Sequence, residues 1–159
     1  MSDKSIPMTL NGYNKLQEEL KILRNVERPA VISAISSARE LGDLSENAEY
    51  HSAKEKQSII ESRITTIENK LSQATIIDVS SIHSDVIKFG ASVEIVDDDT
   101  DVVSKFQIVG SDEADIKSGL LPITSPLARA LIGKKVDDSI DVNTPGGIKS
   151  YTILSIEYK

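Results

Sequence analysis

The chain has 159 residues, with 18 Lys plus Arg against 25 Asp plus Glu, a net charge of −7. That balance excludes a simple basic nucleic-acid binder, which gains affinity by displacing phosphate counterions. There is no Cys, which excludes disulfides, thiolate metal sites and cysteine nucleophiles.

Apolar residues make up 39 % of the chain and aromatics only 4 %, so a folded chain with an aliphatic core is expected. No apolar run approaches the roughly 18 residues of a membrane span. The opening stretch Met1 to Pro7 lacks the apolar segment of a leader. The expectation is a soluble, cytoplasmic protein with no membrane partner.

Leu10, Tyr13, Leu16, Leu20 and Leu23 recur at spacings of three and four, the signature of one helical face. Thr9 stands at the N-cap position. Pro29 interrupts the pattern, and either kinks one long helix or opens a new one in its first turn. The face resumes at Val31, Ile35 and Ala38 and meets Leu41-Gly42. From Ala53 the pattern tightens into heptads, Ala53, Ile60, Ile67 and Ala74 on one seam position and Gln57, Ile64 and Leu71 on the other. The economical arrangement is an antiparallel helical hairpin, a short coiled coil, turning near Gly42. At about 1.5 Å per residue, Leu10 to Leu41 gives an arm of roughly 45–50 Å. Such an arm buries one seam and encloses no core, so it suits reach and partner contact.

The second half changes period. Ile76–Val79, Ala91–Val96, Phe106–Val109, Ile140–Val142 and Tyr151–Ile156 read as short strands. Asp97–Thr100 reads as a charged hairpin tip and Pro145-Gly146-Gly147 as a second turn. Ser125–Gly133 reads as a short helix, with Ser125 as cap, Pro126 in the first position and Gly133 past the end. The fold class is therefore α+β in two domains. Residues 1–78 form the arm with an acidic tip, and 79–159 form a small β-sheet domain with one short helix. Most of the excess acid lies in the second part, with 8 basic and 13 acidic side chains against 10 and 12 in the first.

The chemistry concentrates at the hairpin turn, where Asp43 and Glu46 sit three apart. Two readings stand. In one, Asp-x-x-Glu before a helix is a capping box, with Asp43 accepting from backbone N–H groups and Glu46 reaching back. In the other, two exposed carboxylates at the end of an arm are delivered to another molecule, where their oxygens suit a Mg²⁺ ion whose shell a partner completes. Arg39, Lys54, Lys56 and Arg63 form either a small basic patch or the solvated outside of a coiled coil. His51 and His83 lack the companions zinc needs. Ser45 has no base in its local sequence. No phosphate-binding loop is present.

The turn Gly42-Asp43-Leu44-Ser45-Glu46-Asn47-Ala48-Glu49-Tyr50 resembles that of the bacterial transcript cleavage factors of the Gre family. So do Ile6–Leu10, Lys15–Leu20, Phe89–Ala91, Ile108–Asp115, Ser125–Lys134 and Asn143–Gly147, in that order along nearly the whole chain.

This resemblance implies a coiled-coil arm and a C-terminal domain of FKBP-like fold that docks on bacterial RNA polymerase at its secondary channel. It places Asp43 and Glu46 as the tip acids that act in trans in the polymerase active centre. There they help hold a Mg²⁺ ion and orient water against the nascent RNA 3′ end. The isolated protein is expected to carry no cofactor, the Mg²⁺ being that of the polymerase, and no independent sequence-specific DNA binding is expected. Arg39 and Lys54 are placed as RNA-contacting cations, and Ser125, Pro126 and Arg129 as polymerase-binding residues.

Only three cations, Lys54, Lys56 and Arg63, fall between Ser52 and Arg63, which resembles the less basic branch of the family. Ser45 stands where members often carry Lys. The alternatives are a family-like inhibitor entering the same channel, and a peptidyl-prolyl isomerase or chaperone. An isomerase pocket is usually lined by aromatics, and this half holds only Phe89, Phe106, Tyr151 and Tyr158.

Overall fold

The computed structural model describes residues 5–159. Residues 1–4, which begin the stretch read above as free of a leader, lie outside the described residues. The chain divides into two compact units. Tyr13–Ala74 make up one, and Ile6–Gly12 together with Thr75–Lys159 make up the other. Among the described residues no helix is long and apolar enough to cross a membrane.

In the first unit, α1 (Leu10–Ile22) runs through a π-helical stretch, Leu23–Glu27, into α2 (Arg28–Arg39) without leaving helical backbone angles. The cause is Pro29. Proline supplies no N–H, and its ring clashes with the carbonyl four residues back. A wider turn just before it relieves that clash, and the Arg28 N–H donates five residues back to the Leu23 carbonyl. So Pro29 neither breaks the helix nor starts a new one; it is absorbed by one π turn.

The return helix, α3, spans Ala48–Gln73. Leu16, Leu20, Val31 and Ala38 are buried on the outward limb, and Ile60, Ile64 and Ile67 on the return limb. The heptad reading places these three isoleucines correctly. It fails at Ala74, where the helix has ended and a strand begins.

Outside the seam, charge fixes the register. Arg28 clasps Glu61 through two bonds of 2.7 Å, Arg63 clasps Glu19 at 2.6 and 2.8 Å, and Arg24 pairs with Glu68. All six side chains are substantially exposed, so each pair adds little stability. The forked geometry of the first two nonetheless selects one alignment of the helices. Arg63 therefore belongs to an interhelical pair and not to the basic patch in which the sequence grouped it.

In the second unit, β1 (Ile6–Thr9) pairs with β2 (Ala74–Ile77). The main sheet comprises β3 (Ser92–Asp97), β4 (Val103–Val109), β5 (Leu120–Pro122), β6 (Ser139–Thr144) and β7 (Gly147–Glu157). Its order is β5-β4-β3-β7-β6, antiparallel except for the β4–β5 pair. Leu154 is the extra residue where the β3–β7 register shifts, a bulge that sharpens the sheet's twist. The short helix α4 (Pro126–Leu131) contributes Ala128 and Leu131 to an aliphatic core with Ile87, Val93, Ile108 and Ile153.

The strand read at Ile76–Val79 lies two residues earlier, and Val79 opens a 3₁₀ turn capped by Asp78. The sequence reading missed β1 and β5. Both are very short and contain Pro, which suppresses any strand signal. At the hairpin tip, Asp97 accepts from the amides of Asp99 and Thr100. The Asp99 bond is the main reason its carboxyl titrates below the usual range.

The start of α1 is held inside this unit by Glu113. Its carboxylate accepts from the Thr9 amide at 3.1 Å, the Thr9 hydroxyl and the Gly110 amide at 3.0 Å. The Thr9 hydroxyl oxygen in turn accepts from the Gly12 amide at 3.1 Å, the N-cap bond expected of Thr9. A Cβ at Gly12 would lie 2.2 Å from the Glu113 carboxyl, so any larger residue there must push that carboxylate aside.

Two outcomes follow. Glu113→Ala strands the Thr9 and Gly110 donors and lowers unfolding free energy by about 1–3 kcal/mol. Because Gly12→Ala displaces the same carboxylate, the double variant loses less in a denaturant titration than the two single losses added. Additive losses would show that the two positions act separately.

The second outcome concerns pH. Hydrogen bonds from Arg63 and Arg28 hold the Glu19 and Glu61 carboxyls below the usual carboxylate range. A depressed folded-state pKa contributes stability above the unfolded value of about 4.3, lost as pH falls through the folded value. Helical circular dichroism of the arm is therefore flat through neutral pH and declines only under acid conditions. Pairing Glu19→Gln with Glu61→Gln removes that part of the decline.

Candidate functional site

The turn of the arm is built by four consecutive local devices. α2 ends at Arg39, and the Leu41 amide still reaches back to the Ala38 carbonyl at 3.0 Å. Gly42 then takes φ +126 in open space, so its glycine is demanded by backbone angle and not by crowding. Asp43, in extended backbone, caps a 3₁₀ turn over Leu44–Glu46. Asn47, also extended, caps α3 itself, its Oδ1 accepting from the Tyr50 amide at 3.0 Å. The Asn47 side-chain amide donates to the Ala38 carbonyl at 2.6 Å, tying the outward helix to the return helix.

This corrects the capping-box reading. Asp43 is a cap, but of the 3₁₀ turn. Asn47 is the cap of the long helix, and the sequence reading missed it. Its signal was present: Asn is as good a cap as Asp, and it immediately precedes the first residue of α3. Glu46 makes no bond back to a cap residue; among the described residues its carboxylate has no hydrogen-bond partner.

Asp43 Oδ1 accepts from both the amide and the hydroxyl of Ser45, at 3.0 and 2.9 Å. These bonds, the amide first, lower the Asp43 pKa, so the carboxylate is ionised at neutral pH. Its Oδ2 has no partner among the described residues. Asp43 and Glu46 are exposed and share one shallow depression with Leu41, Asn47, Ala48 and Glu49. Glu46 and the second oxygen of Asp43 are hard oxygen donors of the kind Mg²⁺ takes. Two carboxylates fill only part of its shell, and among the described residues no group of three His, Asp or Glu could hold a metal. The donor set fits a cation shared with another molecule.

The remaining candidates separate. Arg39 is exposed in the last turn of α2, and Lys54 is exposed on α3, its ammonium 3.4 Å from Gln57 Oε1. No hydrogen bond or ion pair joins the two. His51 lies edge-on to Tyr50, and His83 is exposed in the loop after β2. In the other unit, Ser125 Oγ accepts from the Ala128 amide at 3.1 Å, which makes it the cap of α4. Pro126 and Arg129 are exposed, and Arg129 borders a depression with Ile132, Lys134 and Asp141.

Comparison with known proteins covers both units. Residues 6–76 match the family model described as "Transcription elongation factor, N-terminal", and 82–158 match "Transcription elongation factor, GreA/GreB, C-term". The transcription elongation factor GreA of Ruegeria pomeroyi is 61% identical over 155 residues, 98% of this chain and 99% of its own. That of Caulobacter sp. (strain K31) is 56% identical with the same coverage. The crystal structure of GreA factor homolog 1 of Thermus thermophilus aligns at 26% identity over 96% of this chain and 99% of its own, with a TM-score of 0.44.

Removing the Asn47 side chain tests the turn directly. Asn47→Ala loses the cap and the bond to Ala38, and lowers the arm's stability by about 1–2 kcal/mol. Asn47→Asp keeps the acceptor and loses the donor, and falls between. Equal thermal melts for wild type and Asn47→Ala would contradict this assignment.

Proposed function

Because this chain belongs to the GreA/GreB family of transcription elongation factors, we propose that it enters the secondary channel of bacterial RNA polymerase and stimulates the polymerase's own cleavage of backtracked RNA. One observation carries the reading: two exposed carboxylates at the end of a helical arm, one of them held in place by Ser45. The factor is an accessory one. It completes a site in trans and houses none.

In this reading Asp43 and Glu46 supply oxygen donors to a Mg²⁺ of the polymerase at the nascent RNA 3′ end. When bound, that ion stabilises developing negative charge and makes a water acidic enough to attack. The chain's part is placement. Asp43 offers Oδ2 while Oδ1 stays engaged with Ser45. Glu46 offers a carboxylate that no local donor competes for. Capping and ligation are compatible, because they use different oxygens of Asp43.

Arg39 and Lys54, both exposed, are positioned along the arm to meet RNA. Pro126 and Arg129 offer surface to the polymerase, and Ser125 serves them by capping their helix. The net charge of −7 favours such delivery over independent DNA binding. The place of action is the cytoplasm.

A halted, backtracked polymerase complex with Mg²⁺ tests the proposal. Wild type shortens the RNA from its 3′ end into short products. Asp43→Ala and Glu46→Ala each reduce the rate by about 10²-fold or more, the scale expected when a charge-stabilising group is lost, and still compete with wild type for polymerase. Slowed elongation without cleavage by wild type would point to the inhibitor instead. Normal cleavage by both variants would reduce the acids to caps.

A further inference from the structure

We propose that Ser45 is a positioning residue for Asp43, fixing the direction of its carboxylate before the tip meets any partner. This rests on the reading of Asp43 as a tip acid. Two donors of the same residue, amide and hydroxyl, converge on a single oxygen at 3.0 and 2.9 Å. An exposed aspartate without such a hold samples its staggered side-chain rotamers freely. With Oδ1 gripped from two directions, the carboxylate plane is set and Oδ2 alone is left to take a new partner.

Ser45 is itself braced. Its carbonyl oxygen lies 3.3 Å from Nε2 of His51. A carbonyl only accepts, so this contact is a hydrogen bond in the His51 tautomer that carries its proton on Nε2. Since His51 belongs to α3, the long helix holds Ser45 from behind while Ser45 holds Asp43 in front. A group fixed in its working geometry loses less freedom at the moment of reaction, which raises maximal rate.

The same device recurs elsewhere among the described residues, and it supplies a control. At Asp78-Val79-Ser80 the Ser80 amide and hydroxyl grip Asp78 Oδ1 at 3.1 and 2.6 Å, again opening a 3₁₀ turn. There the arrangement lies in the other unit, remote in sequence from the tip.

The experiment compares Ser45→Ala, Ser45→Thr, Ser80→Ala and Asp43→Ala. Ser45→Ala keeps the backbone donor and loses the hydroxyl, so its maximal cleavage rate falls about three- to tenfold, the scale of one hydrogen bond. Its half-saturating concentration on polymerase stays at the wild-type value. Ser45→Thr restores the rate, and Ser80→Ala leaves it unchanged. In the free protein, three-bond NMR couplings report one dominant Asp43 χ1 rotamer for wild type and Ser45→Thr, and increased averaging for Ser45→Ala. Wild-type maximal rate in Ser45→Ala while Asp43→Ala is inactive would overturn the positioning role alone. So would unchanged couplings in Ser45→Ala. Wild-type cleavage by Asp43→Ala would overturn the tip assignment beneath it.

Discussion

A pair of helices can bury only the seam between them, and this limit shapes the whole first unit. Within this unit no enclosing core surrounds the side chains off the seam, so they are positioned by neighbouring groups. The seam is secured by Ile60, Ile64 and Ile67 with Val31 and Ala38, and its alignment by forked Arg–Glu pairs on the outside. Even Pro29 is accommodated within the helix by widening one turn. The consequence appears at the free end, where geometry has to come from short-range hydrogen bonds: a glycine at positive φ, two caps in succession, and an amide that ties the return helix to Ala38.

The acidic residues differ in how far the fold engages them. Many carboxylates of this chain are engaged. Glu19, Glu61 and Glu68 neutralise arginines across the arm. Asp78 and Asp97 cap turns, and Glu113 gathers the root of the first helix. Among the described residues, Glu46 and one oxygen of Asp43 have no hydrogen-bond partner at a solvent-facing turn. The excess charge matters less than which oxygens remain available. The cations divide similarly: Arg24, Arg28 and Arg63 pair with the arm's own glutamates, and among the described residues Arg39 and Lys54 make no ion pair.

The two periods of the chain were legible because burial imposes them. An apolar stripe at 3.6 or at 2.0 residues reflects which face leaves water, whatever the partner. Thr9 and Ser125 were legible as caps because capping is a local bargain between a side chain and amides two or three residues on. What escaped depended on distance or on competition. β5 exists only because β4 offers it a parallel edge. The clamp of Glu113 on Thr9 spans 104 positions, beyond any local pattern. At the tip, Asp43 and Asn47 are equally good caps in sequence, and only the backbone path decides that one serves the 3₁₀ turn and the other the long helix. The two acids were visible as a pair; which of their oxygens was already occupied was not.

Delivery of the tip, as proposed, is directly measurable because the chain contains no cysteine. Leu41 is exposed at the turn, so Leu41→Cys carrying a short photo-crosslinker has a single attachment point. On a backtracked polymerase complex, adducts are expected on the nascent RNA 3′ end and on the polymerase segments that surround it. Adducts confined to the polymerase exterior, in a complex whose RNA is nonetheless cleaved, would contradict it.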